Sequence, residues 1–450
     1  MGSDGSVVLA RAYFVDGASS AFTWRATKFS LSVNKTWLYP LWEWEAAITE
    51  EWFVTEVLIG QNGDVAMVGG NDSHQAVSKL DKDGNLEWRY EAESCGSDAI
   101  VVMDDGSVVV SGTAIVEDTQ AFCFASCKLY ANGTLAWRWQ TGTAGEDSFH
   151  AAALAYNNSV VLAGHTYGNW KGNVGGSDFV AVKLDSEGNE LWRWQEGSAA
   201  PDSFLGAATA DDGAVVLVGV TYGNWNGTNQ GGGDFAAVKL DADGFVSWRW
   251  QNGTVGNDLL VGAAVDERGG TVFLGGSTTG GWGNHEANTG YDFAGVQLDL
   301  ANSIEIGRWQ NGTSQDDVVI DVSGGSDGLV LLAGRTNGSW SEKNLDEDDS
   351  VVIVVDISPQ LAFYTPSPSM VSPRPSTTKI FTITASVVAG VALVAVLSFS
   401  IRRRMCRSTP RTPTVLAADG KNLSFSSFVA REQAGTQLPS YEDVMRSANG

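Results

Sequence analysis

Carboxylates that recur at one position of a repeated pattern are the first groups in this sequence that could do chemistry. Five aspartates each open a short apolar segment, and Glu51 holds the same position in an earlier copy. Side by side at one mouth of a channel, they would form an acidic ring for cations or a basic ligand. The alternative is that each carboxylate accepts backbone N–H bonds within its own turn. The candidate ring comprises Asp98, Asp147, Asp202, Asp258 and Asp317.

Long aromatic loops form a second candidate site. Four segments, such as TYGNWNGTNQGGGD, each carry a tryptophan among Gly, Asn and Asp residues. Aromatic faces next to amide and carboxylate groups suit the binding of sugar rings. The alternative is that each tryptophan packs over its own sheet. The candidate ligand-binding residues are Trp170, Trp225, Trp282 and Trp340, flanked by Tyr167 and Tyr222.

The sequence has no arrangement of residues typical of catalysis or metal binding. Its four histidines, His74, His150, His165 and His285, stand at unrelated positions of the repeat, which argues against a metal triad. The segments DKDG and DADG resemble parts of calcium loops but lack the remaining ligands, so hairpin turns explain them better. No P-loop, Gly-x-Ser-x-Gly or Cys-x-x-Cys motif occurs. We therefore expect no enzymatic activity, no metal and no cofactor.

The net charge argues against one class of partner. The chain has 53 Asp/Glu against 28 Lys/Arg, a net charge of −25, and the part before Pro366 carries all of the excess. Nucleic-acid backbones need basic surfaces, so DNA and RNA are not expected partners. Beyond Pro366 the sequence is basic instead. This change in composition indicates a separate segment.

A repeat positions the candidate residues. The tetrapeptide WRWQ begins at Trp137, Trp192 and Trp248, and related copies begin at 42, 88, 307 and 363. Between these anchors, short Val- and Phe-rich segments alternate with Asp-Gly, Asn-Gly and Gly-Gly pairs, which favour hairpin turns. Each unit is therefore predicted to be four antiparallel strands, a to d. The tryptophans of strand d are expected to pack between neighbouring units.

A four-stranded unit repeated in this way predicts an all-β fold, a seven-bladed β-propeller over residues 1–365. Seven strand-d anchors but six strand-a segments are present, so the first blade is expected to lack its inner strand. The segment GGGDFAAVKLDADGFVSWRWQNGT resembles the SBBP-type β-propeller repeat. That resemblance implies a seven-bladed fold and no single activity.

A membrane anchor is predicted after the propeller. Residues 366–379 are rich in Pro, Ser and Thr, which favours an extended stalk. Residues 380–401 are uncharged; as a transmembrane helix they would span about 33 Å, enough for a bilayer core of ~30 Å. Three arginines follow and are expected to stay cytoplasmic. The expected topology is single-pass type I, in the plasma membrane or an endomembrane, with the N-terminus extracellular or lumenal.

The cytoplasmic tail, residues 402–450, carries candidate trafficking signals. Cys406 is a candidate for palmitoylation, with a free thiol as the alternative. Pro439 and Tyr441 resemble the Pro-x-Tyr ligand of WW domains, and Tyr441 with Val444 resembles a tyrosine-based endocytic signal. WW-domain or endocytic adaptor proteins are therefore candidate partners. The alternative is a plain disordered tail.

Sequons and cysteines fit an exported propeller. Asn-x-Ser/Thr predicts N-glycosylation, although Asn-Gly-Thr is also turn chemistry that the repeat favours. Cys95 can pair with Cys123 or with Cys127, or all three can be small buried residues. The predicted glycosylation sites are Asn34, Asn71, Asn132, Asn157, Asn226, Asn252, Asn311 and Asn337.

These features together predict a cell-surface β-propeller that recognises an extracellular glycan or protein ligand and is anchored in the lipid bilayer. A structural or adhesive glycoprotein without a discrete ligand site is the alternative. A propeller enzyme is the third hypothesis.

The missing inner strand and the missing signal peptide both predict residues before Met1. N-terminal sequencing of the native, membrane-extracted protein should find a terminus upstream of Met1, in a segment similar to DSFLGAATA. A native protein that begins at Met1 would contradict this expectation.

Overall fold

The computed structural model describes most of the propeller region. The described ranges are 6–14, 22–31, 38–48, 53–70, 75–92, 95–116, 121–172, 174–210, 212–266, 270–282, 290–324, 329–338, 349–356, 379–387 and 391–399. Several predictions fall outside them: those on Asn34, Glu51, Asn71, Trp340, residues 366–378, Cys406, Pro439, Tyr441 and Val444.

The described residues form seven antiparallel sheets, numbered here in chain order. Sheet 1 has three strands: β1 (Ser6–Phe14), β2 (Phe22–Leu31) and β3 (Leu38–Ile48). Sheet 2 comprises β4 (Phe53–Ile59), β5 (Val65–Gly70), β6 (Gln75–Leu80) and β7 (Leu86–Ala92). Sheet 3 comprises β8 (Ala99–Val102), β9 (Val108–Val116), β10 (Ala121–Leu129) and β11 (Leu135–Thr141). Sheet 4 comprises β12 (Asp147–Ala155), β13 (Ser159–Thr166), β14 (Asp178–Leu184) and β15 (Glu190–Glu196).

Three more sheets follow. Sheet 5 comprises β16 (Asp202–Thr209), β17 (Val215–Thr221), β18 (Asp234–Leu240) and β19 (Val246–Asn252). Sheet 6 comprises β20 (Asp258–Val265), β21 (Thr271–Thr278), β22 (Asp292–Asp299) and β23 (Glu305–Asn311). Sheet 7 comprises β24 (Asp317–Gly324), β25 (Leu329–Thr336), β26 (Asp349–Asp356), β27 (Lys379–Val387) and β28 (Val391–Phe399). Within the described ranges the one helical element is a 3₁₀ turn at Tyr156–Asn158.

Local turn chemistry sets the connections between strands c and d. In sheet 5, Asp241 Oδ1 accepts hydrogen bonds from the backbone N–H groups of Asp243 (3.0 Å) and Phe245 (2.8 Å). Gly244 then takes a φ of 84°, which favours glycine. The aspartate of DADG thus caps its own turn, as the hairpin interpretation predicted.

In sheets 1 to 5, the first tryptophan of strand d joins the sheet to the next one. Trp192 Nε1 donates to Ala242 O, at 3.1 Å, in the c–d turn of sheet 5, and its ring lies over Gly244 of that turn. Lys183, buried on strand c, donates to the same carbonyl at 3.0 Å. Equivalent indole bonds recur along the chain: Trp42 to Lys82, Trp88 to Ala131, Trp137 to Ser186 and Trp248 to Leu300.

A second layer of aromatic rings fills the space between sheets. Phe204 on β16 stacks on Phe179 of sheet 4, with ring centroids 4.3 Å apart, and on Trp194 at 5.8 Å. Phe149 on β12 stacks on Phe124 of sheet 3 in the same way, at 4.4 Å. Strand a of sheets 4 and 5 therefore supplies a phenylalanine to the preceding sheet.

The sheets pack in sequence order. β1 contacts β4, and the inner strands β4, β8, β12, β16, β20 and β24 each contact the next. Stacked sheets of four antiparallel strands are a propeller-like, all-β fold. Within the described residues, sheet 1 has strands at the positions predicted for b, c and d.

The segment for which the sequence predicts a membrane-spanning helix, residues 380–401, has strands in the structure. β27 and β28 pair as a hairpin, and Val351 and Val352 of β26 pair with Phe399 and Ser398 of β28. Ile, Thr and Val are frequent in this run, and β-branched residues favour extended backbone. Among the residues described, no helix has the length and apolar character needed to cross a bilayer.

The cysteines resolve into one disulfide and one thiol. Cys95, just before β8, is bonded to Cys127 on β10, with their Cα atoms 5.2 Å apart. Cys123 is buried and free. Of the open pairings, Cys95–Cys127 is the one in the structure, and it ties the start of sheet 3 to its third strand.

The contact between tryptophan and turn makes a stability prediction. A Cβ at Gly244 would lie 2.7 Å from Trp192 Cδ2 at a positive φ, so Gly244→Ala should lower the free energy of unfolding by about 2–4 kcal/mol. Gly307→Ala is the matched control because nothing lies within 4 Å of its Cβ position. Urea unfolding should show a change of less than about 0.5 kcal/mol for the control. Equal effects of the two substitutions would contradict the proposed role of the contact.

Candidate functional site

In sheets 4, 5 and 6, the glutamine that ends the WRWQ or GRWQ segment shapes the loop between strands b and c. Gln251 Oε1 accepts hydrogen bonds from the backbone N–H groups of Trp225 (2.9 Å) and Asn226 (2.8 Å). Its Nε2 donates to Asp234 at 3.0 Å. This glutamine therefore fixes the position of the loop tryptophan. Two further copies make the same type of bonds: Gln195 and Gln310.

Trp170 is held between an aromatic ring and an arginine. Its ring centroid lies 4.7 Å from that of Phe124 in the preceding sheet. The Arg193 guanidinium lies over the ring, 4.5 Å from its centroid. Glu190, three residues before Arg193, accepts a hydrogen bond from Arg193 Nε at 2.5 Å and so holds the guanidinium. The ring is consequently covered by its own protein.

Trp282 repeats this arrangement and is 2% exposed. Phe235 of the preceding sheet lies 5.1 Å away between centroids, and the Arg308 guanidinium lies 4.3 Å from the Trp282 ring centroid. Glu305, again three residues before the arginine, accepts from Arg308 Nε at 2.5 Å. This tryptophan is core, in agreement with the packing alternative.

Trp225 differs from both because the glutamate is missing. It packs on Phe179 of sheet 4, with centroids 4.8 Å apart, but Val246 replaces the glutamate three residues before Arg249. Arg249 instead donates from Nε to Glu196 of sheet 4, at 2.8 Å, and from Nη2 at 2.5 Å. In the described part of the chain, no guanidinium lies over the Trp225 ring.

A cleft of about 400 Å³ opens between sheets 4 and 5 at this point. Half-buried Trp225 supplies an aromatic surface, and Arg249 with Glu196 supplies a charge pair of zero net charge. The exposed amide of Asn226 adds a polar group at the edge of the cleft. Polar groups around one aromatic ring can orient a small polar ligand.

The two flanking tyrosines have separate surroundings. Burial raises the pKa of Tyr222 to about 12, so its hydroxyl stays neutral. The Tyr167 ring lies against the edge of His165, with centroids 5.6 Å apart. Of the three described tryptophans of the predicted arc, Trp225 is the one that lines the cleft.

The aspartates of the predicted acidic ring are engaged by their own d–a turns. Asp258 is 1% exposed and accepts from the backbone N–H of Thr254 (2.5 Å), from its hydroxyl (2.9 Å) and from the Thr278 hydroxyl. Burial raises its pKa to about 6. The other turns are built similarly, on Asp147, Asp202 and Asp317, while Asp98 is half-buried just before β8. These contacts correspond to the turn alternative.

A second carboxylate lies close to each of several turn aspartates. A Cβ at Gly253 would lie 2.5 Å from Asp234 Oδ1 and 2.8 Å from Asp258 Oδ2, so this glycine separates two carboxylates. After burial, the charge of Asp234 is a further cause of the raised pKa of Asp258. The same arrangement recurs at Gly197 between Asp178 and Asp202, and at Gly312 between Asp292 and Asp317.

The predicted glycosylation sites differ in their surroundings. Asn132 is exposed, and its Oδ1 accepts from the Thr134 backbone N–H (3.0 Å) and hydroxyl (2.7 Å) in an Asx turn. Exposed Asn226 donates from Nδ2 to Arg249 O, at 2.9 Å, beside the cleft. Asn157 and Asn337 are also exposed, whereas Asn252 and Asn311 are half-buried.

His150 and His165, which stand at unrelated positions of the repeat, lie next to each other in the structure. His150 Nε2 and His165 Nδ1 are 3.0 Å apart, and the Ser203 hydroxyl is 3.3 Å from the same Nδ1. Burial lowers the pKa of His165 to about 4 and that of His150 well below its usual value, so both rings are neutral near pH 7. Within the described ranges, no group of three or more His, Cys, Asp or Glu could hold a metal.

Comparison with known proteins gives no family. No family model and no curated protein matches the chain. Among solved structures, the β-propeller domain of the Trilobed protease from Pyrococcus furiosus is 9% identical, with a TM-score of 0.43, over 77% of this chain and 88% of that chain. Quinohemoprotein alcohol dehydrogenase from Comamonas testosteroni is 10% identical (TM-score 0.40; 88% and 68%), and polysaccharide lyase Uly1 is 13% identical (TM-score 0.40; 77% and 89%). These TM-scores are low, so the propeller-like assignment rests on the stacked sheets themselves.

The raised aspartate pKa values predict a pH dependence of stability. A carboxyl whose pKa is about 6 in the folded state and 3.8 as a free side chain adds stability that is complete below the lower value. That stability is lost as pH rises through 6. Relative to the variant Asp202→Asn/Asp258→Asn, the unmodified chain should therefore gain unfolding free energy from pH 8 to pH 5. Urea titrations of both proteins measure this difference.

The comparison with the variant is needed because His150 and His165, with lowered pKa values, act in the opposite direction between pH 6.5 and 4. They are present in both proteins, so their contribution cancels in the difference. Equal pH slopes for the two proteins would show that the two carboxyls keep an ordinary pKa.

Proposed function

We propose that this chain is a seven-bladed cell-surface β-propeller that binds the neutral sugar units of an extracellular glycan in the cleft at Trp225. The observation that carries this proposal is the displaced arginine. At Trp170 and Trp282 an arginine lies over the ring, whereas Arg249 is held by Glu196 and leaves Trp225 as a wall of the cleft.

The chemistry of the cleft favours a neutral sugar. The C–H groups of a pyranose ring pack on an indole, and its hydroxyls both donate and accept hydrogen bonds. Arg249 and Glu196 offer these bonds, and their charges neutralise each other. An anionic sugar would also meet the strongly acidic surface expected for a chain with a net charge of −25.

Export of the propeller is supported by its covalent structure. The Cys95–Cys127 disulfide is typical of chains that fold in an oxidising compartment. The exposed sequons at Asn132 and Asn157 are consistent with that route. The uncharged run at 380–401, followed by Arg402–Arg404, is the basis for proposing a type I anchor with a cytoplasmic trafficking tail.

Seven blades are proposed from the number of sheets among the described residues. A structural or adhesive glycoprotein remains the second candidate, favoured by the exposed sequons. A propeller enzyme is third.

A substitution outside the cleft lining should close the cleft. Val246→Glu should recreate the Glu-x-x-Arg pair of sheets 4 and 6, draw Arg249 over Trp225 and weaken glycan binding at least about tenfold. Trp225→Ala should weaken it comparably because the stacking surface is lost. Binding is measured first on an array of neutral oligosaccharides and then by calorimetry with the best of them.

Val246→Gln is the matched control. It adds a side chain of the same size without the negative charge that would draw Arg249 away from Glu196, and it should leave the affinity unchanged. Full binding by both Trp225→Ala and Val246→Glu would reject the cleft as the site. The absence of any saturable sugar would favour the structural alternative.

A further inference from the structure

The b–c loop of sheet 5 places an N-glycosylation sequon at the edge of the cleft. Asn226, Gly227 and Thr228 form an Asn-x-Thr triplet, and all three residues are exposed. Asn226 directly follows Trp225, and both residues line the cleft. Their consecutive backbone N–H groups converge on Gln251 Oε1, at 2.8 and 2.9 Å, which is typical of a curled backbone. A sugar on Asn226 would therefore be attached next to the indole.

Sheet 5 also departs from the other sheets in the residue that follows its loop tryptophan. In the other three loops this residue is lysine, glycine or serine. Lys171 Nζ of sheet 4 donates to Arg193 O at 2.9 Å, and Asn226 Nδ2 donates to Arg249 O at the same distance. The asparagine thus makes the bond of the lysine and adds a sequon. Among the loop tryptophans that the structure describes, the one whose arginine is displaced is also the one followed by a sequon.

The hydrogen bond of Asn226 is compatible with a glycosylated side chain. A carboxamide nitrogen has two N–H groups. Glycosylation replaces one of them by the bond to the sugar, and the other can still donate to Arg249 O. This bond holds the side chain against strand d of its own sheet, beside the cleft. The attached sugar consequently begins at the cleft.

The cleft suits the first sugar of an N-glycan. That sugar is N-acetylglucosamine, which is neutral and whose hydroxyls and acetamide both donate and accept hydrogen bonds. Trp225 offers its ring a packing surface, and the Arg249–Glu196 pair offers polar groups without net charge. The cleft volume of about 400 Å³ lies within the ~300–1,000 Å³ range of small-molecule sites. Because a tethered ligand has a millimolar effective concentration, an attached sugar competes strongly with free ones.

We propose that Asn226 is glycosylated and that the first sugar of its glycan packs on Trp225, so that the attached glycan and an external glycan exclude each other from the cleft. This inference rests on the proposed neutral-sugar cleft and adds its regulation. Chains without the glycan are the ones that bind external sugar. The occupancy of one sequon therefore sets how much of the protein is active in binding.

Two substitutions at one position test the competition. Thr228→Ala removes the sequon and leaves Asn226 with its bond to Arg249 O, whereas Thr228→Ser is the matched control that keeps the sequon. Both full-length chains are produced in a secretory host behind a cleavable signal peptide. Mass spectrometry of the glycopeptides should find a glycan on Asn226 in the control only. By calorimetry, Thr228→Ala should bind the neutral disaccharide N,N′-diacetylchitobiose at least about tenfold more tightly than Thr228→Ser.

The rate of enzymatic deglycosylation tests the packing without any free sugar. Peptide N-glycosidase cleaves the bond between asparagine and the first sugar, so contact with Trp225 should shield that bond. Release of the Asn226 glycan from the folded, unmodified chain should be at least about tenfold slower than from folded Trp225→Ala. The two rates should be equal in urea. Melting curves establish that each variant folds.

Three results would each overturn the proposal: an unglycosylated Asn226 in Thr228→Ser, equal release rates from the folded unmodified chain and folded Trp225→Ala, or equal disaccharide affinities of the two Thr228 variants. Equal affinities that are both lost on Trp225→Ala substitution would leave the cleft as a sugar site, so the proposed function would stand. Absence of disaccharide binding by Thr228→Ala would count against the proposed function. The release rates would then still decide whether the attached sugar occupies the cleft.

Discussion

The contact between a strand-d indole and the c–d turn of the following sheet, which joins sheets 1 to 6, is the interaction on which the array of sheets depends. A four-stranded sheet has two apolar faces and cannot bury both alone. Trp192 covers one of them and, with Lys183, donates to the carbonyl of Ala242, so the join is both apolar and hydrogen-bonded. The turn requires glycine at position 244 for two reasons. Its φ is positive, and the Trp192 indole occupies the space that a Cβ would need. The WRWQ repeat therefore serves mainly to pack neighbouring sheets together, and only secondarily to form a ligand-binding site.

The same repeat explains why the loop tryptophans are mostly unavailable to a ligand. In sheets 4 and 6 the strand-d glutamine anchors the b–c loop, and a Glu-x-x-Arg pair places a guanidinium over the loop tryptophan. A regular repeat thus covers its own aromatic surface. At Val246 the pair cannot form, and Arg249 moves to a carboxylate of the neighbouring sheet. One side chain that departs from the repeat is sufficient to open a cleft between sheets that are otherwise alike.

The parts of the structure that could be predicted from sequence are those that local chemistry determines. Asp-Gly turns, strand periodicity and tryptophan spacing indicate the strands, and strand a begins at the predicted Asp147, Asp202, Asp258 and Asp317. Contacts between distant side chains were not predictable: Arg249 with Glu196, or His150 with His165, which depends on a bulge one residue long. The uncharged run at 380–401 illustrates a further difficulty, since apolar, β-branched residues are compatible with a membrane helix and with strands.

Pairs of buried carboxylates lie where strand d ends and the d–a turn leads into the next sheet, and they show what this junction between sheets requires. Asp234 and Asp258 approach each other across Gly253 although their charges repel, and each is held by donors of its own. In sheet 3 the position of the first carboxylate is taken by Cys123, which lies beside Gly142 and accepts from Gln140 Nε2 at 2.8 Å. A thiol can replace a carboxylate there because the glutamine donates to either group. The junctions of sheets 3 and 5 therefore share an acceptor for the strand-d glutamine and a glycine beside that acceptor. The carboxylate of Asp234 is an additional charge, and it raises the pKa of Asp258.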